Sequence, residues 1–430
     1  MVSYDFPPSS VGIWRTLKFC RYLPEFGWRA SVLTVLPVRS PREDEGPLAE
    51  LPEGTEVRRT ESLDPQRLAW VLARRRIVRG KGTAPGQPPV TGGRLRGVFE
   101  FLRSWVFMPD DRVGWMPFAL RAGRRWLREA QFDAIYTTST PHTAHLVGEK
   151  LSRESGLPML ADFRDIWVGN YLTYRPATAW HDRRQHALEA RVVRHAGRVV
   201  SATGPITEDF IERYPAEPRE KFLTITNGFD DVDFPPGAPE HDPSVYTVAY
   251  AGTLFGATSP VPFLRAVRLL LRQRPEWRRV LRLRFLGAMI EPYRETIRRA
   301  GLEDITTVEP YLPHSEALRA MQAADLLLLI VADRPGSHIM LTQKVFEYAA
   351  ARRPVLGLVP EGAARDFLEE IGEGYLAPPE DVRAIAGRLD RALTHWREHG
   401  REVLPPNPRL ARYHRRELTA RLAEALEQLG

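Results

Sequence analysis

Lys344 and Glu347 stand three positions apart in the segment running from Gly336 to Val355. The segment follows an apolar pattern ending near Val331, opens a helical pattern, and turns through Arg353-Pro354 into another apolar run. Residues three apart share one helical face. A cation there can neutralise a pyrophosphate while a carboxylate one turn on accepts protons from ribose hydroxyls, so the pair would clamp a nucleoside diphosphate. The competing reading is a surface ion pair contributing only about a few tenths of a kcal/mol.

Other candidates lie in the first half of the chain. Tyr4 to Arg15 passes through a loop of small residues, Pro7-Pro8-Ser9-Ser10-Val11-Gly12, into a helical pattern. Free amides around Gly12 at a helix start would seat an anion. The run Tyr136 to His145 ends a strand pattern at His142, whose ordinary near-neutral pKa suits positioning an acceptor or moving a proton. His145, one turn later, faces the helix side. At the end of the next strand pattern, Asp162, Arg164, Asp165 and Trp167 offer an acid to orient an acceptor hydroxyl, an Arg–Asp pair and a ring for a sugar face or for packing. The acids Asp230, Asp231 and Asp233 resemble a metal site but sit in a turn without further ligands, and read as a solvated turn.

These residues need a frame, and the hydrophobic patterning supplies one. Strand patterns at 30–36, 134–138, 158–162, 198–202 and 221–226 alternate with helical ones such as 14–23 and 143–155. A second series, at 246–251, 281–286, 306–308, 325–331 and 355–358, alternates with helices at 261–272 and 314–323. Alternation of this kind predicts an α/β fold of two doubly wound parallel sheets. The expected domains are 1–235, with a basic aromatic insert at about 66–128, then 236–404, and a closing helix within 405–430. Met1 to Tyr4 reads as the end of a buried strand, either short or begun upstream. Two such sheets facing each other would collect binding loops around one cleft, closing about a hinge near residue 235.

Composition narrows the function. With 430 residues, a single cysteine and a net charge of +7, the chain is globular and has no internal disulfide, thiolate metal cluster or redox pair. Cys20 reads as a small buried apolar residue, and a reducing cytoplasm as the compartment. No run approaches the ~20 apolar residues of a membrane span. Motifs for dinucleotides, P-loop phosphates and the HExxH zinc site are missing. The basicity is local: between Arg67 and Arg128 there are fourteen Lys/Arg against three acids, interleaved with tryptophans and phenylalanines. That pattern fits an anionic membrane surface, a nucleic acid, or a solvated arginine-rich face.

The opening loop, Ala161 to Trp167, Thr226-Asn227-Gly228-Phe229-Asp230, Ala251-Gly252-Thr253-Leu254 and Lys344 to Tyr348 with Arg353-Pro354-Val355 come in an order that resembles retaining glycosyltransferases. The resemblance is to the family 4-like group of bacterial sugar transferases with the GT-B fold. It implies that the C-terminal domain holds a nucleotide sugar, UDP- or GDP-linked rather than ADP-linked. Glu347 would bind the ribose and Lys344 the diphosphate, with Gly252 and Thr253 beside the phosphates. Backbone at Tyr311 and Leu312 would meet the base, Thr342 would join the donor site, and Gly12 would close on the phosphates. His142, Asp162, Arg164, Asp165 and Trp167 would form the acceptor side. Lys344, His142 and Asp165 would be the catalytic set.

One position departs from that group: eight residues before Glu347, where many relatives carry a second glutamate, stands Ile339 beside His338. The usual arginine and lysine after the first strand of the second domain are also missing, which puts more of the phosphate charge on Lys344. The resemblance further implies no cofactor, no bound metal, retained anomeric configuration and a glycan or lipid-linked acceptor. No nucleic acid partner is expected, and the protein would be cytoplasmic and peripheral on the inner face of the membrane. A nucleotide-sugar epimerase and a non-catalytic sugar-nucleotide or glycan-binding protein are the alternative readings of the same architecture.

Overall fold

The computed structural model describes residues 1–9, 12–37, 45–64, 105–170, 174, 176–237, 239–254, 256, 258–372 and 374–429. The first forty residues or so of the basic aromatic stretch, 65–104, thus lie outside the described residues. The chain forms two compact units, Met1–Thr226 with Leu418–Gly430, and Asn227–Glu417.

The first unit holds β1 (Val32–Val35), β2 (Val57–Thr60), β3 (Ile135–Ser139), β4 (Met159–Phe163), β5 (Arg198–Ser201) and β6 (Phe222–Thr224). β1 pairs with β2, and β3 to β6 follow in order, all parallel. Val2 joins the two ladders by bridging in parallel to both Leu33 and Thr137. The Met1–Tyr4 segment therefore occupies a strand position, with a single bridged residue on each side. Successive residues point to opposite faces. Ile135 packs with Val2, Leu33, Trp115 and Val147, and its neighbour Tyr136 packs with Phe19, Leu160 and Val200. The closing helix Arg415–Glu427 adds Leu418, Leu422 and Leu426 to the second of these clusters, the i, i+4 spacing of an amphipathic helix.

The second unit is one six-stranded parallel sheet of β7 (Tyr246–Ala251), β8 (Leu281–Leu286), β9 (Thr306–Glu309), β10 (Leu326–Ile330), β11 (Val355–Leu358) and β12 (Gly374–Ala377). Its order is β12-β11-β10-β7-β8-β9. The chain winds outward from β7 in one direction and, after crossing back, from β10 in the other. The reversal between β7 and β10 is the switch point at which doubly wound sheets bind ligands, beyond the carboxyl ends of the strands. Both faces are covered, one by Tyr250, Phe285 and Leu328 with their helices, the other by Ala249, Leu327 and Leu329 with theirs.

Two strands escape the sequence patterning. β2, Val57-Arg58-Arg59-Thr60, is a half-exposed edge strand carrying two arginines, and β12 is an edge strand that begins with glycine and buries only Ala377 fully. Edge strands are covered less and need no continuous apolar run. Cys20 is buried and free, and burial pushes its thiol up to about 12. Among the described residues no helix is long and apolar enough to cross a membrane.

Candidate functional site

The switch point of the second unit brings together Gly252, Lys344 and Glu347, three of the residues expected to hold the donor. β7 leads through Ala251 into Gly252, while β10 leads through a loop into the helix Gln343–Ala350. That helix buries Val345, Phe346, Tyr348 and Ala349 and leaves Lys344 and Glu347 half-buried on its other side. Tyr348 anchors it to β7, its hydroxyl accepting the Ala251 amide at 2.9 Å.

Lys344 Nζ donates to the Tyr250 hydroxyl at 3.0 Å and lies 4.1 Å from the centroid of the same ring. A lysine amine carries three donors, and the other two meet no acceptor among the described residues. Gly252 makes this placement feasible. Its φ is +131°, and a Cβ there would lie 2.7 Å from Nζ and 3.2 Å from Cε of Lys344. A second close approach backs the turn, since a Cβ on Gly287 (φ +125°) would lie 2.6 Å from the Gly252 carbonyl oxygen. Thr253 is exposed next to it.

Glu347 is held by one partner a turn back on its own helix, Gln343, and by one that spacing does not reveal, His314. His314 Nε2 and Gln343 Nε2 both lie 3.2 Å from Oε1. Gln343 is itself fixed, donating to the Gly228 carbonyl at 2.6 Å and accepting from Arg415. Oε2 accepts no hydrogen bond from the described residues. Burial disfavours the charged carboxylate, yet His314, Gln343 and Arg415 outweigh it and hold the carboxyl below its ordinary value of 4.5. Thr342, which precedes the helix, has a buried Oγ1 with no hydrogen-bond partner among the described residues. Tyr311 is exposed and Leu312 half-buried just beyond β9. Ile339 is buried and His338 exposed, so no carboxylate stands at that position.

In the first unit the acceptor-side residues divide. Asp162 is not available to orient a hydroxyl: it is fully buried, and its two oxygens take Arg15 at 2.7 and 2.8 Å together with the hydroxyl of Tyr136. Arg15 also donates to the carbonyls of Ile225 and Thr226. Arg164, expected to bond an acid, instead donates to the carbonyls of Gly12, Ser139 and Thr140. Gly12 has φ +68°, and a Cβ there would lie 2.7 Å from Arg164 Nη1. Asp165 is half-buried beside this guanidinium; burial raises its pKa and Arg164 opposes the rise.

The near-neutral titration expected of His142 also needs correction. The ring is 7% exposed and stacks on Trp167 with centroids 4.8 Å apart. Burial first, then the neighbouring His145 and Arg164, push its pKa well below 6.5, so the imidazole is neutral. Trp167 is 2% exposed, with its indole N–H on Gln185 at 2.8 Å and one face covered by His142, which makes it a packing residue here. His145 is buried against Phe163 with Nδ1 2.7 Å from the Thr137 hydroxyl. Buried Ser139 Oγ, His142 Nδ1 and His145 Nε2 have no hydrogen-bond partner among the described residues. In the 230–233 turn Asp230 is buried rather than solvated and bonds the Val232 amide, whereas Asp231 is exposed.

Comparison with known proteins gives the family and the fold. Residues 12–228 match the pattern of the glycosyl transferase 4-like domain. The 2-deoxystreptamine N-acetyl-D-glucosaminyltransferase of Streptomyces fradiae is 26% identical over 279 residues, which cover 62% of this chain. The match spans 64% of that relative's length, somewhat less than two thirds. Among solved structures, a glycosyltransferase from Rickettsia africae superposes with a TM-score of 0.61 at 11% identity, covering all of this chain and 97% of the other. Anabaena HepE, solved in complex with UDP, gives 0.54 at 12% identity over all of this chain and 96% of the other. At such identities the likeness shows the fold, two units of parallel α/β sheet as in GT-B proteins. With its match running over half of the chain, this protein belongs to the glycosyl transferase 4-like family.

Proposed function

We propose that this protein is a metal-independent, retaining glycosyltransferase that moves a sugar from a nucleotide-diphosphate donor to a hydroxyl acceptor. One observation carries the reading: Lys344 presents two spare N–H donors at the mouth of β7, on the same helix as a carboxylate kept ionised by His314 and Gln343. Lys344 meets the diphosphate, and the open Oε2 of Glu347 accepts from the ribose. Gly252, Thr253 and Thr342 border the phosphates, and the Tyr311–Leu312 backbone meets the base. UDP is the favoured nucleotide, GDP the next, and the UDP complex of the Anabaena neighbour supports that order.

Cleavage of the glycosyl–phosphate bond leaves positive charge on the sugar and an added negative charge on the departing diphosphate. Lys344 stabilises that charge as it develops, the electrostatic term that most lowers such barriers. The departing phosphate accepts the acceptor's proton on the same face of the sugar, which retains the anomeric configuration. Asp165 and the neutral His142 position the acceptor hydroxyl. The acceptor is a lipid-linked or cell-surface glycan precursor, met at the inner face of the membrane through the basic stretch at 66–128.

A panel of nucleotide sugars, including UDP-N-acetylglucosamine, tests the reading with and without acceptors. The acceptors include 2-deoxystreptamine, the one in the name of the Streptomyces relative. Transfer releases free nucleotide only when an acceptor is present. A new nucleotide sugar formed without acceptor would instead indicate an epimerase, and binding without turnover a non-catalytic protein.

A further inference from the structure

Two tryptophans of the first unit flank a single imidazole. The rings of Trp105 and Trp180 meet that of His181 edge-on, at 5.5 and 4.9 Å. His181 Nε2 lies 3.1 Å from the Trp105 carbonyl oxygen, so the two indoles come from distant segments and are fixed side by side. His181 is buried, yet Trp105 is 47% exposed, Val106 57% and Trp180 55%. Most large exposed apolar residues stand singly and need no explanation, but grouped ones mark an interface.

The charges beside this group point one way. Trp180 lies in the first turn of the helix Ala179–His195, where Arg183 and Arg184 fall three and four positions on and share its face. Both arginines are exposed, and neither makes an ion pair or hydrogen bond with the described residues. The acid of that turn, Asp182, is engaged by the Tyr174 hydroxyl at 2.6 Å and lies 3.8 Å from His186. The face therefore presents two indoles, a valine and two guanidinium groups.

We infer that Trp105, Val106, Trp180, Arg183 and Arg184 form a docking surface for an anionic lipid bilayer. Indoles are amphipathic and settle at the headgroup level, and arginines beside them meet lipid phosphates and carboxylates. A second copy of this chain would bring like charges together. The inference rests on the membrane contact proposed above and locates it; vesicle binding and nucleotide binding are measured separately, so its failure is distinguishable from a failure of the sugar-transfer reading.

The test is flotation of the full chain with vesicles of phosphatidylcholine alone or mixed with phosphatidylserine, alongside W105A/W180A and R183A/R184A. The arginine variant changes only exposed groups that no described residue pairs, so its fold and its UDP affinity stay those of the wild type. Expected is binding to the mixed vesicles alone, lost in W105A/W180A and weakened about thirty-fold in R183A/R184A, at about 1 kcal/mol per cation. The inference is overturned if the wild type stays in solution, binds neutral vesicles equally, or binds just as well in both variants. Light scattering that shows a dimer dispersed by W105A/W180A would overturn it too, assigning the face to a second copy.

Discussion

The side chain of Lys344 lies against Tyr250, with Nζ 3.0 Å from the hydroxyl and 4.1 Å from the ring centroid. The carboxyl end of β7 thus aims the lysine, and Gly252 leaves the space it occupies. Tyr250→Phe keeps the ring and removes one hydrogen bond. Its turnover should fall by about 0.5–1.5 kcal/mol, up to about tenfold, with ribose recognition unchanged. Steady-state kinetics beside uridine binding check this.

Gly252→Ala is expected to do more damage. The new methyl group lies 2.7 Å from Nζ at a φ of +131°, so the lysine is displaced and the turn strained together. UDP affinity should drop about tenfold or more, near 1.4 kcal/mol. Calorimetric affinity equal to the wild type would show that the lysine relocates without cost.

Glu347 gives a pH signature. Its folded pKa is below 4.5, so the ionised form, and whatever it stabilises, is fully present above that value and is lost as pH falls through the depressed one. In His314→Asn burial has less opposition, and the carboxyl pKa rises. Loss of UDP binding on acidification should then begin at higher pH than in the wild type. Superimposable pH profiles would remove His314 as the positioning residue of Glu347.

The Lys344–Glu347 spacing and the strand alternation were legible in the chain, because each rests on local periodicity, whereas Gly252 was found only through the family resemblance. His314 and Tyr250 were not legible, since they reach the site from other strands or loops, and only the sheet order brings β9's exit and β7's end to the same helix; Gln343 sits on that helix four residues before Glu347, and its i, i+4 spacing was there to be read. Asp162 misled for the same reason. A carboxylate at a strand end looks exposed until Arg15, far away in sequence, is seen to cover it. His142 looked titratable because its burial depends on Trp167 and His145 packing around it.

The Arg15–Asp162 pair predicts a stability effect without a nucleotide effect. Removing one partner of a buried ion pair leaves the other charged and unpaired, at about 3–5 kcal/mol. Asp162→Ala should show that loss in urea unfolding of the first unit. A loss within about 0.5 kcal/mol, the scale of surface substitutions, would contradict the pairing.

His145 predicts the acid side of stability. Burial first, with Arg164 adding to it, lowers its pKa from 6.5 to about 3. The folded state therefore binds its proton later than the unfolded chain does. Its contribution is complete above pH 6.5 and declines as pH falls toward 3. His145→Gln should show a flatter fall of melting temperature across that window than the wild type. Parallel curves would assign the acid sensitivity elsewhere.

The central claim is that Lys344 grips a pyrophosphate while Glu347 grips the pentose. Calorimetric titration of UDP and of uridine into the wild type, Lys344→Ala and Glu347→Ala tests it most directly. Lys344→Ala should erase the advantage of UDP over uridine and leave uridine binding intact. Glu347→Ala should weaken both ligands by about 1.5–3 kcal/mol, the scale of a hydrogen bond to a charged group. Wild-type affinities in both variants, or equal losses of UDP and uridine in Lys344→Ala, would contradict the account.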